Sequence, residues 1–484
     1  FHFMGIGGQG ISAIAQMAQQ AGSEVTGCDR QASATTRALE KAGIAVQIGH
    51  SADHLTHVDT LVISPAVPAL DPTNAELLAA QRLGLRIVSW QELLGELMRG
   101  KCVLSVSGVH GKGTTTSMLA LMLVEAGLDP TCEIGAVVPR WGVNYRLGQS
   151  QYFVNEADEF NHNFWHYHPR LAVVKSIEFE HPEFFADYEA FLYAFEHFVR
   201  GMDMQSDWPL PPTLVLNAGS AGCLELRQRL QDWPGRVITY AVDGTPADFT
   251  AYAINLDGET SFRVRTRARG EMVFPPDLVL HLQLPGLHNV ENALAALVAA
   301  HLVAVPADVV ARTLAGFEGT RRRFEIRNRG PLFLNGEERD VILVDDYAHH
   351  PTAIAATLEA ARRRYLQRRL VAVYQPHMYS RTRVFFEQFL LSFDVADVVL
   401  IADIFPARER DSGLVHSRDL VAAMTQRPHF AQGPAQVLYS GDVEQTIRML
   451  QSILRSGDLA VIMGAGDIYN VTEQLLQESA QYRS

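Results

Sequence analysis

Short apolar runs alternate with amphipathic stretches along the first part of the chain. The runs F-H-F-M-G-I, E-V-T-G-C and T-L-V-I-S start at residues 1, 24 and 60, and helical patterns cover 10–21 and 74–83. Short β-branched and apolar runs favour strands, whereas apolar positions three and four residues apart favour helices. Regular alternation of the two predicts a parallel sheet with helices packed on it.

Two further units of the same kind follow. The run C-V-L-S-V from residue 102, a glycine-rich turn and a helical pattern over 114–126 predict a strand-loop-helix nucleotide site. Beyond residue 319, buried strand patterns at 339–346, 369–375, 397–403 and 458–464 are separated by helical stretches over 352–365, 383–393 and 443–454. This predicts a second doubly wound sheet. We therefore expect an α/β protein of three domains, with bounds 1–98, 99–319 and 320–484.

Charge and cysteine usage narrow the possible partners. The formal charge of −13 repels nucleic acid and anionic membranes, so any phosphate has to be bound by a local site. The widely spaced Cys28, Cys102, Cys132 and Cys223 indicate neither a metal knuckle nor a disulfide framework. No run approaches the ~18 apolar residues of a membrane span, and the first residues resemble a strand rather than a leader. We expect a cytoplasmic monomer or homodimer that binds neither nucleic acid nor membrane.

The first glycine turn, G-I-G-G-Q-G, carries Gly5, Gly7, Gly8 and Gly10 between a strand and a helix. Glycine lets the backbone approach a ligand, and a helix N-terminus offers unpaired N–H groups to an anion. Asp29 ends the second strand, where an acidic residue of a dinucleotide site meets a ribose. The pattern alone also fits a plain tight turn or a dinucleotide-dependent dehydrogenase. The second loop counts against the dehydrogenase, because hydride transfer does not require it.

That second loop is G-V-H-G-K-G-T-T-T at 108–116. Its backbone N–H groups are suited to wrapping phosphates, while Lys112 is suited to neutralising the charge of a transferred phosphoryl group. It departs from the strict P-loop spacing, because Gly108 lies only three residues before Gly111. The alternative is a helix cap with an exposed lysine.

Several polar segments follow these loops in a fixed order. They are N-E-A-D-E at 155–159, S-I-E-F-E-H at 176–181, G-L-H-N-V-E-N-A at 286–293, R-R-R-F-E at 321–325, D-D-Y-A-H-H-P-T at 345–352, Q-P-H-M-Y-S-R-T-R at 375–383 and G-A-G-D at 464–467. Taken singly, such segments are commonly solvated surface, helix caps or structural histidines. In this order they resemble the Mur ligase family over nearly the whole chain. The departures are Gly113 for a hydroxyl residue, Ser176 for Asn, Glu180 for Asp, Leu287 for Arg, and Asn217-Ala218-Gly219 for an acidic pair.

The resemblance implies a Rossmann-like N-terminal domain for a UDP-linked substrate, a central P-loop-type ATPase domain, and a Rossmann-like C-terminal domain for ATP and an amino acid. Each set of implied site residues occupies motif positions of the family. The UDP-substrate set is Gly5, Gly7, Gly8, Gly10 and Asp29, and the amino-acid set is Tyr347, His349, His350, His377 and Arg381. The ATP set is Gly108, His110, Gly111, Lys112, Gly113, Thr114, His288, Asn289, Asn292, Arg323 and Asp346. The metal set is Thr114, Glu156 and His181, and the catalytic set is Lys112, His181 and Arg381.

The segment Q-P-H-M-Y-S-R-T is similar to that of the alanine-adding members of the family, whereas members that recycle murein tripeptide carry an E-P-R type. The implied reaction joins L-alanine to UDP-N-acetylmuramate through an acyl phosphate in peptidoglycan synthesis, with ATP and Mg²⁺. Arg381 is suited to bidentate binding of the amino-acid carboxylate. Two alternatives stay open. One is a recycling ligase, towards which segment 159–168 leans, and the other is a nucleotide-binding homologue that has lost activity.

Overall fold

The structure is a computed structural model that describes residues 1–65, 67–68, 71–205, 207–242, 244–267, 274–407, 409–411, 413–427, 434 and 436–482. The chain divides into two compact units. The first comprises Phe1–Ile177, Leu192–Thr239 and Ala299–Val305, and the second comprises Glu178–Phe191, Tyr240–Val298 and Pro306–Ser484. None of the helices in these described ranges is both long enough and apolar enough to cross a membrane.

The first unit begins with a five-stranded parallel sheet. Its strands are β1 (His2–Met4), β2 (Thr26–Asp29), β3 (Ala45–Ile48), β4 (Thr60–Ile63) and β5 (Arg86–Ser89), in the order β3-β2-β1-β4-β5. The helices along this part of the chain are α1 (Gln9–Gln20), α2 (Ala34–Lys41), α3 (Ala75–Leu83) and α4 (Trp90–Leu97), with a 3₁₀ helix at Ala52–Leu55. This order is that of a doubly wound sheet, which places ligands beyond the carboxyl ends of its strands. The predicted Rossmann-like N-terminal fold is confirmed.

Side-chain caps fix where two of these helices start. Asn74 Oδ1 accepts a hydrogen bond from Glu76 N at 3.0 Å. At α4, Ser89 Oγ accepts from Glu92 N at 3.1 Å, and Glu92 Oε2 accepts from Ser89 N at 2.6 Å, which is a capping box. Such caps satisfy N–H groups that have no partner within the helix. The cap on α3 also holds Glu76 in the first turn of that helix.

The rest of the first unit contains the glycine-rich nucleotide loop. Its strands are β6 (Cys102–Ser107), β7 (Thr131–Val138), β8 (Val143–Arg146), β9 (Tyr152–Glu156), β10 (Leu171–Val174) and β11 (Thr213–Asn217), in the order β11-β10-β6-β9-β7-β8. Its main helices are α5 (Lys112–Glu125), α6 (Tyr188–Arg200), whose first turn belongs to the second unit, and α7 (Ala221–Arg229). Strand β6 is buried throughout and leads directly into the loop. The predicted strand-loop-helix arrangement is confirmed.

The second unit starts with a smaller group of strands. They are β12 (Arg236–Val242), which carries residues of both units, β13 (Phe249–Asn255), β14 (Thr260–Thr266) and β15 (Leu280–Leu282), in the order β15-β14-β13-β12. Helices α8 (Leu287–Leu302), whose residues from Ala299 on belong to the first unit, and α9 (Ala307–Ala315) follow. The domain bounds expected at 98/99 and 319/320 remain a prediction.

A seven-stranded sheet forms the C-terminal part of the second unit. Its strands are β16 (Glu325–Asn328), β17 (Pro331–Leu334), β18 (Glu337–Asp346), β19 (Arg369–Tyr374), β20 (Val398–Ala402), β21 (Gln436–Gly441) and β22 (Asp458–Met463). The order is β16-β18-β22-β19-β20-β21, with β17 paired to β18. Strands β18, β22 and β19 are parallel, and Asp346 and Tyr374 both pair with Met463. This register places the segments after these three strands at one edge of the sheet.

Alternation along these strands supplies a core on each face. Val344, Leu370 and Val461 belong to one hydrophobic cluster, and their sequence neighbours Leu343, Val371 and Ala460 belong to another. Successive side chains of a strand point to opposite faces, so a run of apolar residues serves both cores. The predicted doubly wound C-terminal fold is confirmed.

The helices of this sheet match the predictions over 352–365 and 443–454, differ over 383–393, and include two that were not predicted, at Ser417–Thr425 and Tyr469–Gln481. They are α10 (Pro351–Arg364), α11 (Tyr379–Val384), α12 (Phe386–Leu391), α13 (Ser417–Thr425), α14 (Val443–Ile453) and α15 (Tyr469–Gln481). A single helix was predicted over 383–393, but α11 and α12 are separate. Phe385, with φ −99° and ψ 17°, leaves the helical region between them. Its ring packs edge-on to the His350 ring at 4.8 Å, a tertiary contact that the local pattern does not contain.

Candidate functional site

The first glycine turn is held against the end of β2. Gly5 N and Ile6 N donate to Cys28 O at 2.9 and 3.0 Å, and Gly7 N donates to Asp29 Oδ2 at 2.8 Å. Gly5 has φ +79°, a conformation that favours glycine. A Cβ on Gly7 would lie 2.8 Å from Asp29 Oδ2. The structure therefore brings the turn and Asp29 together, as predicted for a nucleotide site.

Two other glycines of this turn position helix α1. Gly8 is the N-cap of α1, so the following N–H groups start a helix beside the turn. A Cβ on Gly10 would come within 2.9 Å of the Trp90 ring. Gly10 thus allows α1 to pack closely on Trp90, and its expected part in binding the UDP-linked substrate remains a prediction.

The second loop is pinned to the segment after β10. Val109 N donates to Ser176 O at 3.0 Å, and His110 N donates to Ser176 Oγ at 3.3 Å. Gly108 has φ +120°, and a Cβ there would lie 2.8 Å from Ser176 N. Gly111, with φ +75°, is the N-cap of α5. Glycine is required at both positions for the loop to close on the strand and start the helix.

Lys112 lies in a buried acidic pocket of the first unit. Its Nζ is 2.8 Å from Glu159 Oε2 and 3.5 Å from Asp158 Oδ1. Burial alone would lower the pKa of Lys112, but Glu159, Asp158 and Glu156 together raise it. The side chain is therefore a fixed cation at the start of α5. This excludes the alternative of a cap with an exposed lysine.

Glu156 faces the same helix start. Its Oε2 accepts a hydrogen bond from Gly135 N at 2.8 Å, and a Cβ on Gly113 would lie 3.1 Å from this oxygen. Thr114, the next residue of α5, is buried. Carboxylate and hydroxyl oxygens are ligands that suit Mg²⁺, which completes its shell with water and substrate phosphates. The donor chemistry of Glu156 and Thr114 fits such an ion.

In the second unit, hydrogen bonds between side chains hold the first turns of α8 and the residues just before it. Asn289 Nδ2 donates to Pro285 O at 2.8 Å and lies 3.1 Å from His288 Nε2. Asn292 Nδ2 donates to Asn289 Oδ1 at 3.0 Å, and both amides are buried. These contacts stabilise the start of α8. The expected adenine contacts of His288, Asn289 and Asn292 remain a prediction.

Asp346 and the arginine triplet meet at the end of β18. Asp346 Oδ2 accepts from Phe324 N and Oδ1 from Ala348 N, each at 2.7 Å. Burial raises the pKa of Asp346, while Arg323 and these N–H donors lower it in part. The Arg323 guanidinium lies 4.7 Å from the centre of the Tyr347 ring. Asp346 thus joins two backbone segments, and its expected ribose contact remains a prediction.

Arg381 is buried against Glu180 within the second unit. Arg381 Nη2 is 2.7 Å from Glu180 Oε1, and Nη1 is 3.3 Å from His377 Nδ1. Burial alone would raise the pKa of Glu180, but Arg381 and then the neighbouring histidines lower it, so the carboxylate is ionised. Among the described residues, Arg381 Nε has no hydrogen-bond partner. The guanidinium therefore keeps one buried donor for a ligand.

The predicted histidines surround this ion pair. His181 Nδ1 lies 3.1 Å from Glu183 Oε1 and 3.5 Å from Arg381 Nη2. Burial and then Arg381 lower the pKa of His349 well below its usual range, so its ring is neutral. His350 caps α10 by accepting from Thr352 N at 3.3 Å. The structure thus brings Tyr347, His349, His350, His377 and Arg381 into one region, with His181 beside Arg381.

Several important partners were not singled out by the sequence. Glu159 binds Lys112, Glu180 binds Arg381, and Arg322 donates to Gly464 O and Gly466 O at 2.6 and 3.2 Å. Each lies next to or within a quoted motif, but a neighbouring residue was chosen for the site. In the last motif, Gln375 Nε2 donates to Asp467 Oδ1 at 2.8 Å. The position of Q-P-H and G-A-G-D directly after two strands is a sequence signal from which this contact could have been predicted.

Family models cover most of the chain. The Mur ligase family catalytic domain matches residues 1–102, the Mur ligase middle domain matches 106–300, and the glutamate ligase domain of Mur ligases matches 322–466.

Individual relatives agree with these models. The chain is 35% identical over 480 residues to a UDP-N-acetylmuramate–L-alanine ligase of Alkaliphilus metalliredigens, covering 99% of this chain and 97% of the relative. The crystal structure of the UDP-N-acetylmuramate-alanine ligase MurC of Thermotoga maritima superposes with a TM-score of 0.78 at 24% identity, covering 100% of this chain and 99% of that one. A murein peptide ligase of Psychrobacter arcticus matches with a TM-score of 0.70 at 27% identity, covering 98% of each chain.

Proposed function

Since the chain belongs to the Mur ligase family, we propose that it is an ATP-dependent ligase that joins L-alanine to UDP-N-acetylmuramate in peptidoglycan synthesis. The observation that carries the proposal is the buried Lys112 at the start of α5, held in a phosphate-type loop after a fully buried strand. The full-length similarity to alanine-adding relatives supports the choice of amino acid.

In the proposed reaction, the substrate carboxylate attacks the γ-phosphorus of ATP and ADP leaves. The alanine amine then attacks the acyl carbon of the resulting acyl phosphate, and phosphate and a proton leave. Lys112 and the N–H groups of the loop stabilise the phosphoryl charge, while the turn at Gly5–Gly10 and Asp29 bind the UDP part. Catalysis rests on positioning and charge stabilisation.

We propose that Glu156 and Thr114 hold Mg²⁺ beside the loop, and that the nearby buried charge of Lys112 shares the phosphate oxygens. Mg²⁺ would supply neutralisation of the phosphate charge. His181, paired with Glu183 in its own unit, is the proposed ligand of a second ion.

The amino-acid pocket is proposed at Tyr347, His349, His350, His377 and Arg381. Arg381 would bind the alanine carboxylate, partly through the Nε–H group that has no partner among the described residues. His288, Asn289, Asn292, Arg323 and Asp346 would contact the nucleotide. Because burial and then Arg381 lower its pKa, His349 would stay neutral and would add no second positive charge to the pocket beside Arg381.

The test is turnover. The protein is incubated with ATP, Mg²⁺, UDP-N-acetylmuramate and single amino acids, and ADP and product mass are recorded. We expect ADP formation that requires L-alanine and a product heavier by one alanyl residue. Arg381→Lys should raise KM for alanine more than it lowers kcat, because lysine keeps the charge but loses the planar donor pair. ATP binding without product for any acceptor would contradict the proposal.

A second candidate is a ligase that accepts a murein tripeptide. The similarity to the Psychrobacter arcticus murein peptide ligase favours it. The same assay with L-alanyl-γ-D-glutamyl-meso-diaminopimelate in place of alanine distinguishes the two by product mass. We further propose that the enzyme is a monomer or homodimer of the cytoplasm, where both ATP and UDP-linked precursors occur.

A further inference from the structure

Four side chains with metal-binding atoms meet beneath the first glycine turn. His2 lies on β1, Cys28 on β2, His54 on the 3₁₀ helix and Glu76 in the first turn of α3. One ligand atom of each lies within 4.8 Å of the others. His2, Cys28 and Glu76 are completely buried, and the His54 side chain is 15% exposed. All four residues belong to the first unit, and none has a part in the proposed ligase reaction.

Hydrogen bonds occupy one oxygen of the Glu76 carboxylate, and the other oxygen faces two imidazole rings. Its Oε2 accepts from Cys28 Sγ at 3.2 Å and lies 3.2 Å from His50 Nδ1. Its Oε1 lies 2.9 Å from His2 Nε2 and 3.4 Å from His54 Nδ1. Within the described ranges, none of these last three atoms has a hydrogen-bond partner of acceptable geometry. Buried polar atoms without partners are rare and costly, so this convergence requires an explanation.

The His2 ring is oriented as the ring of a metal-bound histidine would be. Its other ring nitrogen, Nδ1, lies 2.7 Å from Thr26 Oγ1, which fixes the ring with Nε2 directed at the cluster. A metal-bound histidine commonly makes such a contact through its second nitrogen. If Nδ1 carries the proton, the lone pair of Nε2 faces the lone pairs of Glu76 Oε1. A cation between the two atoms would relieve this repulsion.

The donor types select the class of ion. Two imidazoles, a thiol and a carboxylate suit Zn²⁺, whereas Mg²⁺ and Ca²⁺ prefer oxygen donors throughout. Tetrahedral Zn²⁺ with bonds of about 2.0–2.3 Å sets its ligand atoms roughly 3.3–3.6 Å apart. The His54–Glu76 separation of 3.4 Å falls in this range, the His2–Glu76 separation of 2.9 Å is slightly shorter, and the whole cluster is no wider than 4.8 Å.

We propose that His2, Cys28, His54 and Glu76 form a structural zinc site in the N-terminal sheet. Binding converts the Cys28 thiol to a thiolate and releases its proton to solvent. All four protein ligands are supplied, which is the arrangement of a structural rather than a catalytic zinc. His50, which contacts both Cys28 Sγ and Glu76 Oε2, would orient these ligands.

The site would brace the glycine turn from below. Cys28 O accepts from Gly5 N and Ile6 N, so a bond from Cys28 Sγ to zinc fixes the peptide that holds the turn. The neighbouring Asp29 binds Gly7 N. Loss of zinc should therefore also weaken binding of the UDP-linked substrate. This consequence rests on the proposed function, whereas zinc binding itself does not.

The test measures zinc directly in the full-length protein. Protein stripped with a chelator is reloaded with ZnCl₂, freed of excess ion and analysed for metal content. We expect about one tightly held zinc per chain in the parent and a loss of it in Cys28→Ser and in His54→Gln. Two control variants should keep the zinc. Cys223→Ser changes a buried thiol that donates a hydrogen bond to Val174 O, and His57→Gln changes an exposed histidine three residues after His54.

Cobalt supplies a second readout, because the spectrum of the parent alone reports whether a thiolate binds the metal. Co²⁺ in the parent should give a thiolate-to-metal charge-transfer band that disappears in Cys28→Ser and persists in Cys223→Ser. His50→Asn should weaken zinc affinity by about 10–100-fold, as expected for a residue that orients ligands. Circular dichroism checks each variant for folding. A parent that holds no zinc, zinc retained equally by Cys28→Ser and His54→Gln, or a cobalt spectrum without the thiolate band would overturn the proposal.

Discussion

Lys112 shows how a buried charge depends on the residues around it. The ammonium group is held by Glu159 and Asp158. ATP phosphates would have to share or replace these carboxylates. The acidic pair thus keeps the lysine oriented and charged, which lowers the reorganisation required when substrate binds.

Substitution of Lys112 should affect activity and stability separately. Lys112→Met should lower kcat/KM by at least about 100-fold, because it removes charge stabilisation from the transition state. It should also lower the free energy of unfolding by about 3 kcal/mol, since a buried Glu159 loses its cation. The double variant Lys112→Met/Glu159→Gln should regain the lost free energy of unfolding, because no unpaired carboxylate remains buried, but it should stay inactive. These quantities are measured by ADP release and by denaturant unfolding.

Lys101→Met is the matched control, because Lys101 Nζ donates to Ser150 O at 2.9 Å outside the loop. It should retain parental turnover. Full ADP release by Lys112→Met would show that the loop has another role.

Asp345 predicts a pH dependence of stability. Burial raises its pKa to about 6 from an unfolded value of 3.8, although Thr472 and Arg327 oppose the shift. Between these values the folded protein binds more protons than the unfolded chain, so this group adds stability as pH falls from about 6 to 4. The gain is about 3 kcal/mol. Asp345→Asn should lack it.

The comparison is the difference in unfolding free energy between parent and Asp345→Asn at pH 4, 5, 6 and 7. The unfolding free energy of the parent should rise relative to that of the variant as the pH falls to 4. The variant also loses the ion pair with Arg327, whose Nη1 lies 3.0 Å from Asp345 Oδ2, and this loss shifts the difference by the same amount at every pH. The test is therefore the change of the difference with pH. A difference that does not change between pH 7 and pH 4 would rule out a raised pKa for Asp345.

At the scale of elements, the start of α5 combines a phosphate-type loop with an unusual residue. Gly113 occupies the position where the family carries a hydroxyl residue. A Cβ added to Gly113 would lie 3.1 Å from Glu156 Oε2. A hydroxyl added there would lie next to the proposed metal ligand. The helix itself tolerates this substitution, because glycine within a helix is less stable than alanine by about 0.5–1 kcal/mol.

Gly113→Thr should therefore lower the Mg²⁺ concentration required for half-maximal turnover without changing the amino-acid preference. The physical reason is that threonine adds a hard oxygen donor close to Glu156. Gly113→Ala is the matched control, because it adds the same Cβ without the hydroxyl. Equal losses of activity in both variants would indicate crowding of Glu156 instead. Turnover in Gly113→Thr alone, with an inactive parent, would identify a lapsed enzyme.

At the scale of the whole molecule, the C-terminal sheet is built from a continuous segment. Strands β16 to β22 all lie between residues 325 and 463, and both faces of the sheet carry a buried cluster made largely from this segment. A sheet with its own core on each face satisfies the usual requirement for independent folding. The predicted domain 320–484 can therefore be tested in isolation.

The isolated fragment 320–484 should unfold in a cooperative thermal transition followed by circular dichroism. A fragment that starts at residue 348 should not, because it lacks β18, which pairs with β22 inside the sheet. If both fragments melt without cooperativity, the C-terminal domain bound is wrong.

Local sequence rules determined much of this protein. Apolar runs predicted the strands, because burial on both faces of a parallel sheet requires continuous hydrophobicity. Glycines predicted the two loops, because Gly5, Gly108 and Gly111 adopt positive φ at 79°, 120° and 75°. The order of the motifs indicated the family.

Only the tertiary structure decided which side chains pair. Arg381 meets Glu180, and His2 meets Cys28, His54 and Glu76, across separations that no periodic pattern spans. The same sequence showed four scattered cysteines and no pattern that indicates a metal site involving any of them. Sequence patterns follow the short repeat of a helix or strand, whereas these contacts depend on the register of parallel strands and on how deeply each charge is buried.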